Sequence, residues 1–278
     1  MTAATEFKIS QYTLSEKPYY LPVGDEVDIF TAAYRSKIPV VLKGPTGTGK
    51  TRFVEYMAYM LGEKAGVSIP LSTVACHEDL TTTDLVGRYL LIGNETVWVD
   101  GPLSIAVKTG GICYLDEIVE ARKDTTVIIH PLSDHRRILP LDKKGTVIKA
   151  HENFFMVISY NPGYQSIIKD LKESTKQRFI AINFDYPTAD KEAEIINHES
   201  GAPEEIARDL ARLGEKIRNL KGHALNEGAS TRLLIYAGTL IKEGIPARRA
   251  CQVAATSLLS EDGKVQQAID EIIHSIFL

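Results

Sequence analysis

The chain has few cysteines, a single tryptophan, no long apolar run and no marked excess of either charge, and each shortage removes a class of protein. Its three cysteines, Cys76, Cys113 and Cys251, are odd in number and far apart, so they supply neither a disulfide framework nor zinc-ligand spacing. Reduced thiols in a cytoplasmic protein are the expectation. No apolar stretch approaches the roughly 18 residues of a membrane span. Residues 1–11 lack the charged head and apolar body of a signal peptide. No membrane insertion is therefore expected. A formal net charge of −4 over 278 residues gives no global basic field, so no nucleic-acid partner is expected either. Internal repeats and low-complexity segments are also missing. What remains is 44% hydrophobic and 24% charged, the composition of an ordinary globular protein. The length suits one large α/β domain, or a larger domain with a smaller appendage.

Against that background, Gly44-Pro45-Thr46-Gly47-Thr48-Gly49-Lys50-Thr51 fits GxxxxGK[ST] at every fixed position. The preceding Ile38-Pro39-Val40-Val41-Leu42 is a short apolar run, and Arg52 to Leu61 reads as a helix. This is the strand–loop–helix setting that a phosphate-binding loop requires. The glycines let backbone N–H groups turn around a polyphosphate, at a helix N-terminus whose dipole favours negative charge. Lys50 is expected to reach the β- and γ-phosphates, and the Thr51 hydroxyl to join the shell of a Mg²⁺ ion. A chance glycine turn would not bring the flanking strand and helix with it. A nucleoside triphosphate is the implied ligand.

Further strands are expected at Val67 to Ala75, Gly111 to Leu115, Phe154 to Ser159 and Phe179 to Ile182, with a helix over Glu26 to Arg35. Continuous apolar strands separated by helices indicate a five-stranded parallel sheet covered on both faces. Two segments interrupt the rhythm. Tyr89 to Ile92 and Thr96 to Val99 flank a Gly93-Asn94 turn, and Arg137 to Leu141 and Thr146 to Lys149 flank Asp142 to Gly145. Both read as β-hairpin inserts with exposed apolar tips rather than core. After Tyr186-Pro187 the pattern becomes helical, broken by Gly201, Gly222, Gly228 and Gly244. The expected division is an α/β nucleotide-binding core over residues 1–186 and an all-helical lid over 187–278.

Ile112-Cys113-Tyr114-Leu115-Asp116-Glu117 is an apolar strand ending in two adjacent carboxylates. In a parallel sheet that end lies beside the phosphate loop. Asp116 is then placed to hold Mg²⁺, and Glu117 to polarise the attacking water. Asn161, at the tip of the next strand, is placed to orient that water or touch the γ-phosphate; its alternative is a turn-forming Asn-Pro. Arg178 precedes the last strand, where it would reach a neighbouring protomer's γ-phosphate or remain a surface cation. Arg232 follows the helix cap Ser230-Thr231 and would carry the lid's contact with the nucleotide.

The set Gly44 to Thr51, Leu115-Asp116-Glu117, Asn161, Arg178 and Arg232 resembles an AAA+ ATPase over nearly the whole chain. The hairpin inserts resemble those of the MoxR branch. Longer strings resemble the CbbQ/NirQ/NorQ group within it: Ala75 to Leu80, Asp84 to Leu90, Asp100 to Leu103, Val119 to Arg122, Ile158 to Gln165 and Ser230 to Leu233. No motif position departs from the pattern. The resemblance implies ATP and Mg²⁺ as ligands, with Tyr20 to Gly24 lining the adenine pocket. It also implies a homo-hexamer with ATP at the subunit interfaces, and a CbbO-like partner carrying a von Willebrand factor A domain. In the CbbQ type the implied client is Rubisco, freed of inhibitory sugar phosphates. In the NorQ and NirQ type it is nitric oxide reductase, assisted in metal-centre assembly.

Several residues carry simpler readings. His77-Glu78-Asp79 has no second ligand cluster, so a polar strand-end loop is expected there, and His130, His135 and His151 are too scattered to ligate metal. Tyr56, Met57, Tyr59 and Met60 read as core beneath the phosphate loop. Arg136-Arg137 and Lys143-Lys144 flank the second hairpin and either grip a substrate or belong to a solvated hairpin, and Arg88 and Trp98 on the first are candidate partner contacts.

Overall fold

The computed structural model describes residues 13–162, 171–220, 225 and 227–277. By internal contacts the chain forms two units: one holds the described residues up to Lys43 and Gly49–Asn183, the other Gly44–Thr48 and Phe184–Leu278.

In the first unit, helix α1 (Glu26–Ser36) buries Phe30 and Ala33 and ends at Lys37 in a left-handed conformation. Strand β1 (Val40–Lys43) is apolar and buried, because it lies inside the sheet. Helix α2 (Lys50–Ala65) buries Phe53, Val54, Met57, Ala58 and Leu61, the stripe expected of a helix against a sheet. Of the Tyr56 to Met60 cluster, only Met57 and Ala58 are buried. Strand β2 (Leu71–Ala75) begins four residues later than the apolar run does, because Val67 is exposed and Pro70 has no N–H to donate. Helix α3 (Thr82–Val86) opens on a capping box in which Thr81 and Asp84 satisfy each other's backbone N–H groups.

Strands β3 (Gly87–Ile92) and β4 (Glu95–Asp100) form the first hairpin, with Tyr89 opposite Trp98 and their rings edge-on at 5.1 Å. Leu91 is 75% exposed at its tip. Helix α4 (Pro102–Thr109) leads into β5 (Ile112–Asp116), and the short helix α5 (Lys123–Val127) follows. Strands β6 (Ile138–Leu141) and β7 (Thr146–Lys149) form the second hairpin. Here the expectation of an insert outside the core needs correction. Leu139 and Leu141 are fully buried in the main apolar cluster that also holds Leu115 and Ile158, Ile148 opposite Leu139 packs against the same cluster, and Val147, opposite Pro140, is exposed. The two-residue alternation across Pro140 puts both leucines on one face, and that face covers the core.

Strand β8 (Phe155–Tyr160), helix α6 (Glu173–Lys176) and strand β9 (Ile180–Asn183) complete the unit. The sheet order is β2-β5-β8-β1-β9, with every neighbouring pair parallel. Residues 163–170, which include the Gly163 to Gln165 end of one family-like string, lie outside the described residues.

The regular elements described in the second unit are helices, and the unit also takes in the loop segment Gly44–Thr48. It contains α7 (Ala189–Ser200), α8 (Glu204–Arg218), α9 (Thr231–Lys242), α10 (Ala247–Cys251), a π turn (Gln252–Thr256), α11 (Ser257–Leu259) and α12 (Gly263–Ile276). Its core joins Ile196, Leu210, Leu213, Ile217, Leu234, Ile269 and Ile273. Ala207, Leu210, Ala211, Gly214 and Ile217 recur at helical spacing along α8 and account for its buried face.

Candidate nucleotide site

The parallel register aligns the carboxyl ends of the strands. Lys43 lies opposite Tyr160, and Leu115 opposite Ile158, so Asp116, Glu117 and Asn161 leave the sheet at the edge where β1 runs into the phosphate loop. Asp116 is held from three sides. The Thr51 hydroxyl donates to Oδ2 at 3.2 Å, the Tyr114 phenol donates to Oδ1 at 2.7 Å, and the Ser159 hydroxyl also donates to Oδ1. The same Ser159 oxygen accepts the Glu117 backbone N–H at 3.2 Å. Glu117 turns the chain at φ 52°, a left-handed conformation rare for a non-glycine residue. Such backbone persists only where its surroundings fix it, and the hydrogen bond to Ser159 is one such constraint.

Lys50 and Asn161 are buried in this unit. Burial raises the pKa of the Glu117 carboxyl and the Asp116 charge adds to this, while Lys50 and the Asn161 backbone N–H oppose it; the net direction is up. A carboxylate made more basic in this way suits a group that accepts a proton from water. The Thr51 hydroxyl and the Asp116 carboxylate are hard oxygen donors within hydrogen-bond distance of each other, a donor set that fits Mg²⁺.

The apex of the loop packs within the second unit. Gly47 adopts φ +77°, and a Cβ built on it would lie 2.4 Å from the Ser230 Cβ. A Cβ on Gly44 would lie 2.2 Å from the Phe184 carbonyl oxygen. Glycine is required at both positions by this close approach. Thr48 Oγ1 donates to the Pro45 carbonyl at 3.0 Å, and the Thr46 carbonyl accepts the Tyr186 hydroxyl at 3.3 Å. Ser230 caps α9 by accepting the Leu233 N–H, which places Arg232, exposed, in the first turn of that helix.

Lys50, Thr51, Asp116, Glu117 and Asn161 thus come together in the first unit. Arg178 does not join them. Val40 at the start of β1 pairs with Ile180 at the start of β9, so Arg178 lies beyond the amino edge of the sheet, opposite the carboxylates. Its guanidinium donates to the Ser174 carbonyl, and its charge and that of Lys172 add to burial in lowering the pKa of His130. Tyr20 donates to Glu26 at 2.8 Å and packs its ring on Phe53 and Tyr56 of α2, at 5.2 and 5.3 Å. Among the described residues no group of three or more His, Cys, Asp or Glu side chains is disposed to hold a metal, His77-Glu78-Asp79 included. No helix among them is long and apolar enough to cross a membrane.

Sequence reasoning missed Tyr114 and Ser159 as supports of Asp116. The available signal was a hydroxyl in each of two otherwise apolar, buried strands.

A P-loop strand, a carboxylate pair at the tip of the strand two places away in the same parallel sheet, and a helical C-terminal region define the AAA+ class. The family described as AAA domain (dynein-related subfamily) matches residues 39–179, and that described as CbbQ/NirQ/NorQ C-terminal matches residues 192–276. The chain is 56% identical to Protein CbbQ of Hydrogenophilus thermoluteolus over 96% of its own length and 98% of the relative's. It is 53% identical to Protein NorQ of Paracoccus denitrificans, over 94% and 95%. Among solved structures, the RuvB Holliday junction branch migration motor of Thermotoga maritima shares the fold at TM-score 0.52 and 15% identity, covering 95% of this chain and 72% of that one. The chain belongs to the CbbQ/NirQ/NorQ family of AAA+ ATPases.

Proposed function

We propose that this protein hydrolyses ATP to ADP and phosphate in a Mg²⁺-dependent reaction and uses the free energy to remodel another protein. The observation that carries the reading is the support of Asp116 and Glu117 by the single hydroxyl of Ser159, next to Thr51. Thr51 and Asp116 would hold Mg²⁺, which neutralises phosphate charge when bound. Lys50 binds the β- and γ-phosphates, Glu117 takes the proton of the attacking water, and Asn161 orients that water. Arg178, at the opposite edge of the sheet from its own carboxylates, acts on the site of a neighbouring protomer in a homo-hexamer. Arg232 contacts the nucleotide from the first turn of α9.

The client reading is Rubisco, released from inhibitory sugar phosphates together with a CbbO-like von Willebrand factor A partner. Its support is the 56% identity to a protein named CbbQ. Nitric oxide reductase is the second reading, supported by the 53% identity to a protein named NorQ. The deciding experiment incubates the protein with the cognate partner, ATP and inhibited Rubisco, beside a working activase. Recovery of carboxylation supports the first reading, and no recovery moves the client to the reductase.

A further inference from the structure

The helical unit contains an ion pair between a buried carboxylate and a largely buried guanidinium that the chemistry above does not use. Glu192 on α7 is 1% exposed, and Arg218 at the end of α8 meets it with both terminal nitrogens, Nη1 at 2.7 Å from Oε2 and Nη2 on Oε1. The remaining Arg218 donor, Nε, reaches the Ala229 carbonyl at 2.8 Å. Thr231 Oγ1 donates to Glu192 Oε1 at 2.7 Å. Gly228 leaves room for the arginine, since a Cβ there would lie 2.7 Å from Arg218 Cγ. On its other side the guanidinium stacks over the Tyr186 ring at 3.9 Å, and the Tyr186 hydroxyl donates to Thr46 of the phosphate loop.

These contacts close a circuit. It runs from Thr46 through Tyr186, Arg218 and Glu192 to Ala229 and Thr231, which flank Ser230, and Ser230 lies against Gly47 of the same loop. A buried ion pair is weak evidence for stability, because desolvation of both charges offsets their attraction and apolar replacements often fold as well. A planar fork that satisfies one carboxylate, one carbonyl and one ring face at once fixes geometry more than it adds stability.

We propose that Tyr186, Glu192 and Arg218 are positioning residues that lock the apex of the phosphate loop to the first turn of α9, and so set where Arg232 stands when nucleotide is bound. The role of Arg232 rests on the ATPase reading; the lock itself does not. Nucleotide on the loop and the start of α9 are then mechanically linked inside one unit, so that a shift of either is transmitted to the other.

The test uses Arg218→Lys, which keeps the charge but loses the fork, and Tyr186→Phe, which keeps the ring but loses the bond to Thr46. Hydrogen exchange of nucleotide-free protein is expected to rise about fivefold or more at residues 44–48 and 229–233 in Arg218→Lys, and at 44–48 in Tyr186→Phe, with α12 unchanged. Unchanged loop exchange in both variants overturns the proposal, as does an even rise across all the lid helices, which a merely structural role would give. If Arg218→Lys fails to fold, Tyr186→Phe carries the test alone. For turnover, Arg218→Lys is expected to lower kcat/KM for ATP about tenfold, and to add little in an Arg232→Ala background. Additive losses overturn the link to Arg232. The exchange rise in the variants, together with no hydrolysis by wild-type protein, refutes the ATPase reading and leaves the lock standing.

Discussion

Ser159→Ala removes one hydroxyl that serves both carboxylate residues. The side chain is fully buried, donates to Asp116 Oδ1 and accepts the Glu117 N–H. A hydrogen bond to a charged group contributes about 1.5–3 kcal/mol, and a backbone N–H left buried without a partner costs about 1–3 kcal/mol. Asp116 keeps the phenol of Tyr114, so its position loosens rather than collapses. Glu117 loses a constraint on its left-handed backbone at the point where its carboxylate must face water. If most of the charge-assisted bond acts in the transition state, kcat falls about 10- to 100-fold, at ~1.4 kcal/mol per tenfold. Nucleotide affinity is expected to stay within about threefold, because Lys50 and the loop are untouched. The matched control is Ser72→Ala in the same sheet: Ser72 Oγ is buried without a partner, so its removal is expected to be neutral or stabilising. Phosphate release and fluorescent-nucleotide titration measure both quantities. A Ser159→Ala protein within twofold of wild-type kcat, or an equal loss in Ser72→Ala, refutes the assignment.

Lys50→Ala is expected to abolish ATP binding in the same titration, since the proposed role of Lys50 is to contact the ground-state phosphates. Arg178→Ala is expected to bind ATP but hydrolyse it poorly, and to regain activity when mixed with Lys50→Ala protomers; a fully active monomer by light scattering with ATP present sinks the assignment in trans. Because burial raises the Glu117 pKa, the ionised carboxylate is disfavoured in the fold above that pKa, and the penalty disappears as pH falls through it. Thermal unfolding of Glu117→Gln is therefore expected to give a higher midpoint than wild type at neutral pH and an equal one at low pH, and an equal midpoint throughout contradicts the shift. Replacing Asp142 to Gly145 by a Gly-Ser turn, with Leu139 and Leu141 left in the core, is expected to spare basal ATPase and abolish client remodelling; intact remodelling excludes that hairpin tip.

The phosphate loop was legible because its spacing is set by the ligand: glycines where backbone must approach phosphate, then Lys50 and Thr51 at the start of a helix. The sheet was legible because strands buried on both faces, such as β5 and β8, read as continuous apolar runs. Their tips then located Asp116, Glu117 and Asn161 without further information. Ser159 was not legible as a support, because a buried hydroxyl in a strand gains meaning only when the register brings it to a neighbour's carboxylate; Tyr114 lies two residues before Asp116 on the same strand, and its phenol reads as core until it is seen to bend back to that carboxylate. The burial of Leu139 and Leu141 escaped for a similar reason: an alternating hairpin looks alike whether its apolar face meets solvent or a core. The circuit from Glu192 to Arg218 joins residues on different helices, and no local spacing marks such a pair.

The account's central claim is that Glu117 activates water for ATP hydrolysis. The direct measurement is single-turnover phosphate release by Glu117→Gln, beside ATP affinity in the same preparation. The account predicts binding close to wild type and phosphate release reduced by about 100-fold or more. Release at the wild-type rate would contradict it.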